Sequence, residues 1–253
     1  MKRIIVANWK MNPPTAKEAG SILAGIAATA RGLKNTEAII CPPFLFLSDS
    51  KLKTKNSKLA YGAQDVFYES SGAFTGEVSV KMLKDAGVAY VIIGHSERRM
   101  HQGESDSLIN KKVVAALAAG LKVILCVGER ERVRGELPMV VKEELLADLA
   151  NVTPQKAKNI IIAYEPIWAI GEGKQADTPE DLFEIVIYIR RTLLDIFGKT
   201  LAEKMPLLYG GSVDDKNAAA FLDVAGVQGL LVGRASLDAK KFGNILKIAE
   251  KLK

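Results

Sequence analysis

A chain of 253 residues with 48% hydrophobic and 25% charged residues has the balance of an ordinary globular protein, and no apolar run approaches the ~20 residues that cross a bilayer. The net charge of +6 comes from Lys and Arg mixed with acids, as in KEELLADL and KKFGNILKIAEKLK. No basic stretch alternates with aromatics as a nucleic-acid groove does, so nucleic acid and membrane are both set aside, while a positive excess would help draw in a small anionic substrate.

In chain order the apolar, β-rich runs are RIIVAN (3–8), TEAIIC (36–41), KLAYGAQ (58–64), AYVIIG (89–94), LKVILCV (121–127), NIIIAYE (159–165), MPLLYG (205–210) and VQGLLVG (227–233). The amino terminus, MKRIIVANWKMN, has too short an apolar stretch for a secretory signal. Between the runs lie segments of helical period: AKEAGSILAGIAATARGL, VSVKMLKDAG, LINKKVVAALAAG and PEDLFEIVIYIRRTLLDIF. Gly32, Gly87, Gly120 and Gly198 stand where helices should stop. Thr178-Pro179 supplies an N-cap and a first helical residue. Cys41 and Cys126 close AIIC and VILC and read as buried free thiols, which points to a reducing cytoplasm.

Strands alternating with helices at a spacing of roughly 30 residues mark βαβ units, and continuously apolar strands suit a parallel sheet covered on both faces. Eight such strands in this length predict an α/β chain closed into a (β/α)8 barrel, a single domain over residues 1–253. An open doubly wound sheet would carry a glycine-rich dinucleotide turn after an early strand, and none follows RIIVAN or TEAIIC.

Active sites of such barrels lie at the carboxyl ends of the strands. Strand one leads to Asn8 and Lys10, strand four to Gly94-His95-Ser96-Glu97, strand six to Glu165, strand seven to Gly210-Gly211-Ser212 and strand eight to Gly233-Arg234. Pro166 forces Glu165 into an extended conformation at its strand end. GHSERR predicts a strand-to-helix turn with Ser96 as cap. That turn puts His95 near a positive helix end, which leaves its ring neutral and able to donate a hydrogen bond. Lys10 reads as a fixed positive charge for an anionic substrate or as an imine-forming nucleophile. His101 reads as a surface residue. Two histidines and two separated cysteines do not make a structural zinc site, and no metal is required. GEGK lacks the flanking residues of a Walker loop, since Trp168 and Gln175 stand in their places, and Ala169–Ala176 reads as a lid. YGGSVDD and LLVGRAS offer backbone N–H groups beside helix starts, suited to phosphate.

ANWKMN, GHSERR, AYEPIWAIGEGK, YGGSV and LVGRASL, in this order and spacing from Arg3 to Leu237, resemble the triosephosphate isomerase family. The resemblance implies a TIM barrel that interconverts dihydroxyacetone phosphate and glyceraldehyde 3-phosphate without a cofactor, in glycolysis and gluconeogenesis. It implies Glu165 as the base, His95 as the neutral electrophile, Lys10 with Asn8 as electrostatic and substrate contacts, and Glu97 within the catalytic set. Gly171, Ser212, Gly233 and Arg234 occupy the phosphate-binding positions. It also implies a homodimer in which the long 65–79 loop, with Thr75 near its tip, reaches beside the partner's active site. The chain departs from the family pattern at Glu172 and Gln175 in the lid, at Asp65 in place of asparagine, and at Arg234 in place of a second glycine. Two rivals remain: an aldolase using Lys10 as an imine nucleophile, and a non-catalytic phosphosugar-binding protein, whose mark would be loss of the base or the histidine.

Overall fold

Eight strands close into a parallel barrel in chain order: β1 (Arg3–Asn8), β2 (Thr36–Cys41), β3 (Leu59–Ala63), β4 (Tyr90–Ile93), β5 (Lys122–Val127), β6 (Ile160–Tyr164), β7 (Leu207–Tyr209) and β8 (Gly229–Val232). The structure is a computed structural model that describes residues 2–47, 58–133, 136–169 and 177–252. The expected (β/α)8 architecture is the one observed. Closure runs through β1, where Ile4 pairs in register with Glu37 on one side and Gly229 on the other.

Because successive strand side chains point to opposite faces, each run splits into two sets. Ile4, Val6, Ile39, Cys41, Ile124 and Cys126 belong to the cluster that fills the barrel. Ile5, Ala7, Ile40, Val123 and Leu125 belong to the larger cluster shared with the helices. Each fully buried aliphatic side chain contributes roughly 1.5–3 kcal/mol relative to exposure. The interior phase, carried one step past these apolar layers, reaches Asn8, Gln64, Gly94, Gly128, Glu165, Gly210 and Gly233. The barrel's own periodicity therefore delivers polar and small residues to its carboxyl mouth.

The helices are α1 (Ala16–Ala30), α2 (Val80–Asp85), α3 (Ser96–His101), α4 (Asp106–Ala118), α5 (Met139–Asp148), α6 (Pro154–Ala157), α7 (Pro179–Phe197), α8 (Lys199–Lys204), α9 (Ala218–Leu222) and α10 (Ala239–Lys251). Thr15 caps α1 by accepting the Glu18 N–H at 3.2 Å, and α1 buries Ala19, Leu23, Ile26 and Ala30 at helical spacing. Thr178 caps α7 with Pro179 in the first turn, as its sequence predicts. Gly87, Gly120 and Gly198 adopt positive φ after their helices, whereas Gly32 does not: α1 ends at Ala30 with Arg31 still helical.

The segment between β3 and α2 projects from the barrel, with residues 69–77 exposed. A backbone bridge between Phe67 and Ser79 closes its base. Phe67 packs its ring on Tyr68 and Phe74, with centroids 4.4 and 4.7 Å apart.

Candidate active site

A chain of contacts links the predicted residues at the mouth. Asn8 is buried at the end of β1, and its Oδ1 accepts the Lys10 N–H at 3.1 Å. Lys10 Nζ lies 2.6 Å from Glu97 Oε1. His95 Nε2 lies 3.0 Å from Glu165 Oε1. Gly210 and Gly233 border the same space: a Cβ on Gly210 would stand 3.1 Å from Glu165 Cγ, and one on Gly233 would stand 3.5 Å from Lys10 Cε.

Glu165 is almost wholly buried, with its N–H bonded to Val127 O at 2.9 Å. Its Oε2 accepts the Ser96 backbone N–H at 3.0 Å. Burial works to raise its pKa, while the hydrogen bond from His95, the Ser96 N–H and the charge of Lys10 work to lower it. Ionised in this arrangement, the carboxylate has each of its two oxygens engaged.

The turn after β4 differs from the sequence expectation in one respect. His95, not Ser96, is the N-cap of α3: its Nδ1 accepts the Glu97 N–H at 3.2 Å. The imidazole takes an orphan donor of the first turn. An Nδ1 that accepts is unprotonated, so the ring is neutral and its Nε2–H points at Glu165. His101 is exposed.

Lys10 has a φ of +54°, a region that side-chain-bearing residues seldom enter. Both sides of this peptide unit are held, since Asn8 accepts the Lys10 N–H and Gln64 Nε2 donates to Lys10 O at 2.9 Å. Such strain persists only where the surroundings enforce it. Here it aims the ammonium along the mouth towards Glu97.

At β7, the Ser212 hydroxyl donates to Ala169 O at 2.7 Å, tying the turn to the segment that follows β6. At β8, Gly233 precedes a 3-10 turn, Arg234–Leu237, whose Ser236 N–H and hydroxyl both bond Gly233 O. Arg234 is exposed. Gly171, Glu172 and Gln175, with residues 170–176 of the expected Ala169–Ala176 lid, lie outside the described residues. Asp65 is buried and takes ion pairs from Lys112 and Arg98, both at 2.8 Å.

Some residues of the site were not singled out by sequence reasoning. Glu129, buried after β5, accepts the Tyr164 hydroxyl at 2.6 Å and the Trp168 indole N–H at 3.0 Å. It thereby fastens the segment leaving β6. Gln64 supports Lys10, and Arg99 bonds Gly94 O next to His95. Only Gln64 had a sequence signal, its place in the interior phase of strand three. Among the described residues, no group of three or more His, Cys, Asp or Glu is arranged to hold a metal ion, and no helix is long and apolar enough to cross a membrane.

The family model described as triosephosphate isomerase matches residues 3–249. The chain is 45% identical over 248 residues to the triosephosphate isomerase of Carboxydothermus hydrogenoformans, covering 97% of this chain and 98% of that protein. It is 41% identical over 251 residues to that of Endomicrobium trichonymphae, covering 98% and 99%. The crystal structure of triosephosphate isomerase from Bartonella henselae superposes with a TM-score of 0.88 at 38% identity, covering 99% of this chain and 100% of that one. The chain belongs to the triosephosphate isomerase family, enzymes that interconvert dihydroxyacetone phosphate and glyceraldehyde 3-phosphate in glycolysis.

Proposed function

We propose that Glu165 is the base of this isomerisation, with His95 and Lys10 as the groups that stabilise charge on the substrate oxygens. Glu165 takes the proton from C1 of dihydroxyacetone phosphate, leaving an enediolate charged on O2; a proton passes from the O1 hydroxyl to O2, and Glu165 returns its proton to C2 to give the aldehyde. The neutral His95 donates from Nε2 to the developing oxyanion, and the Lys10 ammonium supplies positive charge beside it. Glu97 holds that ammonium, and Asn8 and Gln64 hold its backbone. Glu165 is bonded to His95 and Ser96, so it must leave both to reach a C–H. Freed from those partners in a water-poor cavity, it becomes a stronger base. The pairing of the Lys10 amine with Glu97 at 2.6 Å supports a role through charge over one as an imine nucleophile.

The observation that carries this reading is the Nδ1 of His95 accepting from Glu97 N, which fixes the donor on the opposite ring nitrogen. A coupled isomerase assay tests it. His95→Gln should lower turnover while glycerol 3-phosphate still binds, and wild-type turnover in the variant would rule His95 out. Borohydride with substrate should trap no Lys10 adduct, and a trapped imine would favour the aldolase reading.

We place the phosphate on the backbone N–H groups near Gly171, Ser212, Gly233 and Arg234, with residues 169–176 closing over it. Remote binding energy of that kind can drive closure and keep water from the enediolate. We further propose that residues 1–253 act as one catalytic domain in the cytoplasm, without a cofactor, where the buried free thiols Cys41 and Cys126 stay reduced. The exposed residues 69–77 of the 65–79 loop and the exposed apolar Met11, Phe74 and Met82 support a homodimer joined through this loop near Thr75. Sedimentation equilibrium tests the dimer: a monomer of full activity would oppose it.

A further inference from the structure

Arg99 stands on α3 four residues after His95, with its side chain nearly buried. Its Nε donates to the carbonyl of Gly94, the residue directly before His95, at 2.9 Å. Gly94 has φ +76°, and a Cβ there would meet Cys126 O at 3.1 Å and Arg99 Nη2 at 3.2 Å. The guanidinium thus lies against the turn that carries the imidazole. Its Nη2 also donates to Asp148 at 2.6 Å and approaches Cys126 O on β5 at 3.5 Å, while Nη1 pairs with Asp106 at 2.5 Å.

A second route leads to Glu165. Glu144 Oε1 lies 3.6 Å from Arg99 Nε, and its Oε2 accepts the Gly128 N–H at 2.9 Å. The Gly128 backbone is pressed against that of Glu165, since a Cβ on Gly128 would stand 1.8 Å from Glu165 O. The neighbouring Val127 O accepts the Glu165 N–H. One planar cation therefore touches the peptide before His95 and, through Glu144, the peptide on which Glu165 rests.

We propose that Arg99 is a positioning residue for the isomerisation, acting with Glu144 to set the spacing between the His95 imidazole and the Glu165 carboxylate. The inference rests on the catalytic roles given to His95 and Glu165 above. A guanidinium offers five donors in a fixed plane, which a lysine ammonium cannot reproduce. Misplacing reacting groups by ~1 Å can cost ~10²-fold in rate.

Two variants test this. Arg99→Lys keeps the charge and loses the fork, and Glu144→Gln keeps the shape and loses the carboxyl that joins Arg99 to the Gly128 N–H. For each, thermal unfolding is measured together with kcat, KM and the affinity for two competitive ligands, glycerol 3-phosphate and a hydroxamate that mimics the enediolate. Arg99→Lys should fold and lose roughly 10- to 100-fold in kcat. Its KM and glycerol 3-phosphate affinity should stay within about threefold, while hydroxamate affinity falls along with kcat. Glu144→Gln should show the same split with a smaller loss. Wild-type kcat in folded Arg99→Lys would overturn the proposal, as would equal losses for both ligands, the sign of general loosening. Should Arg99→Lys fail to fold, the split in Glu144→Gln decides. Wild-type turnover in His95→Gln would instead strike the catalytic reading itself, so the two failures are distinct.

Discussion

His95 Nε2 stands 3.0 Å from Glu165 Oε1 while Nδ1 of the same ring accepts the Glu97 N–H. The two contacts demand one tautomer, with the proton on Nε2 and none on Nδ1. A helix start favours this state, because its N–H groups repel a second ring proton. At neutral pH, nitrogen NMR of the free enzyme should therefore find one protonated and one unprotonated ring nitrogen in His95. Two protonated nitrogens would contradict the donor role.

The acid cluster around Arg99 makes stability depend on pH. Burial, against the pull of Arg99, pushes Glu144 from 4.5 up to about 7 and Asp148 from 3.8 up to about 8. Between those limits the folded chain holds protons that the unfolded chain has released. Their contribution is complete below about pH 4 and is lost as pH rises through 7 to 8, at up to ~1.4 kcal/mol per pH unit for each proton. The unfolding midpoint should fall between roughly pH 5.5 and 8.5, and the double variant Glu144→Gln, Asp148→Asn should flatten that slope. A midpoint that rises over this range would show these carboxyls to be ionised.

Arg234 begins a 3-10 turn, with Gly233 before it at φ −86°. Neither residue needs a left-handed backbone, so an L-residue fits where the resemblance leads one to expect a second glycine. Phosphate bound by backbone N–H groups asks only that the residue not be proline. With the side chain exposed, Arg234→Gly should leave KM within about threefold. A tenfold or greater rise, suppressed at high salt, would make the guanidinium a phosphate ligand.

The strands were legible because apolar runs mark them, and PEDLFEIVIYIRRTLLDIF carries its own cap and periodicity. The mouth was legible for the same reason, since strand ends fix which residues face it. The supporting network was not. Glu129 holds Tyr164 and Trp168 from 35 and 39 residues away, and Gln64 reaches Lys10 across 54, contacts that no local pattern encodes. The cap on α3 failed for a finer reason. Serine is the usual cap, and only the folded turn brings the imidazole onto the Glu97 N–H.

Turnover of Glu165→Asp tests the central claim most directly. The substitution draws the carboxylate back by one methylene and leaves Lys10, His95 and the phosphate turns in place. In a coupled assay with dihydroxyacetone phosphate, kcat should fall by ~10²-fold with KM within about threefold, the loss expected when a reacting group moves by ~1 Å. Unchanged turnover would remove Glu165 as the base.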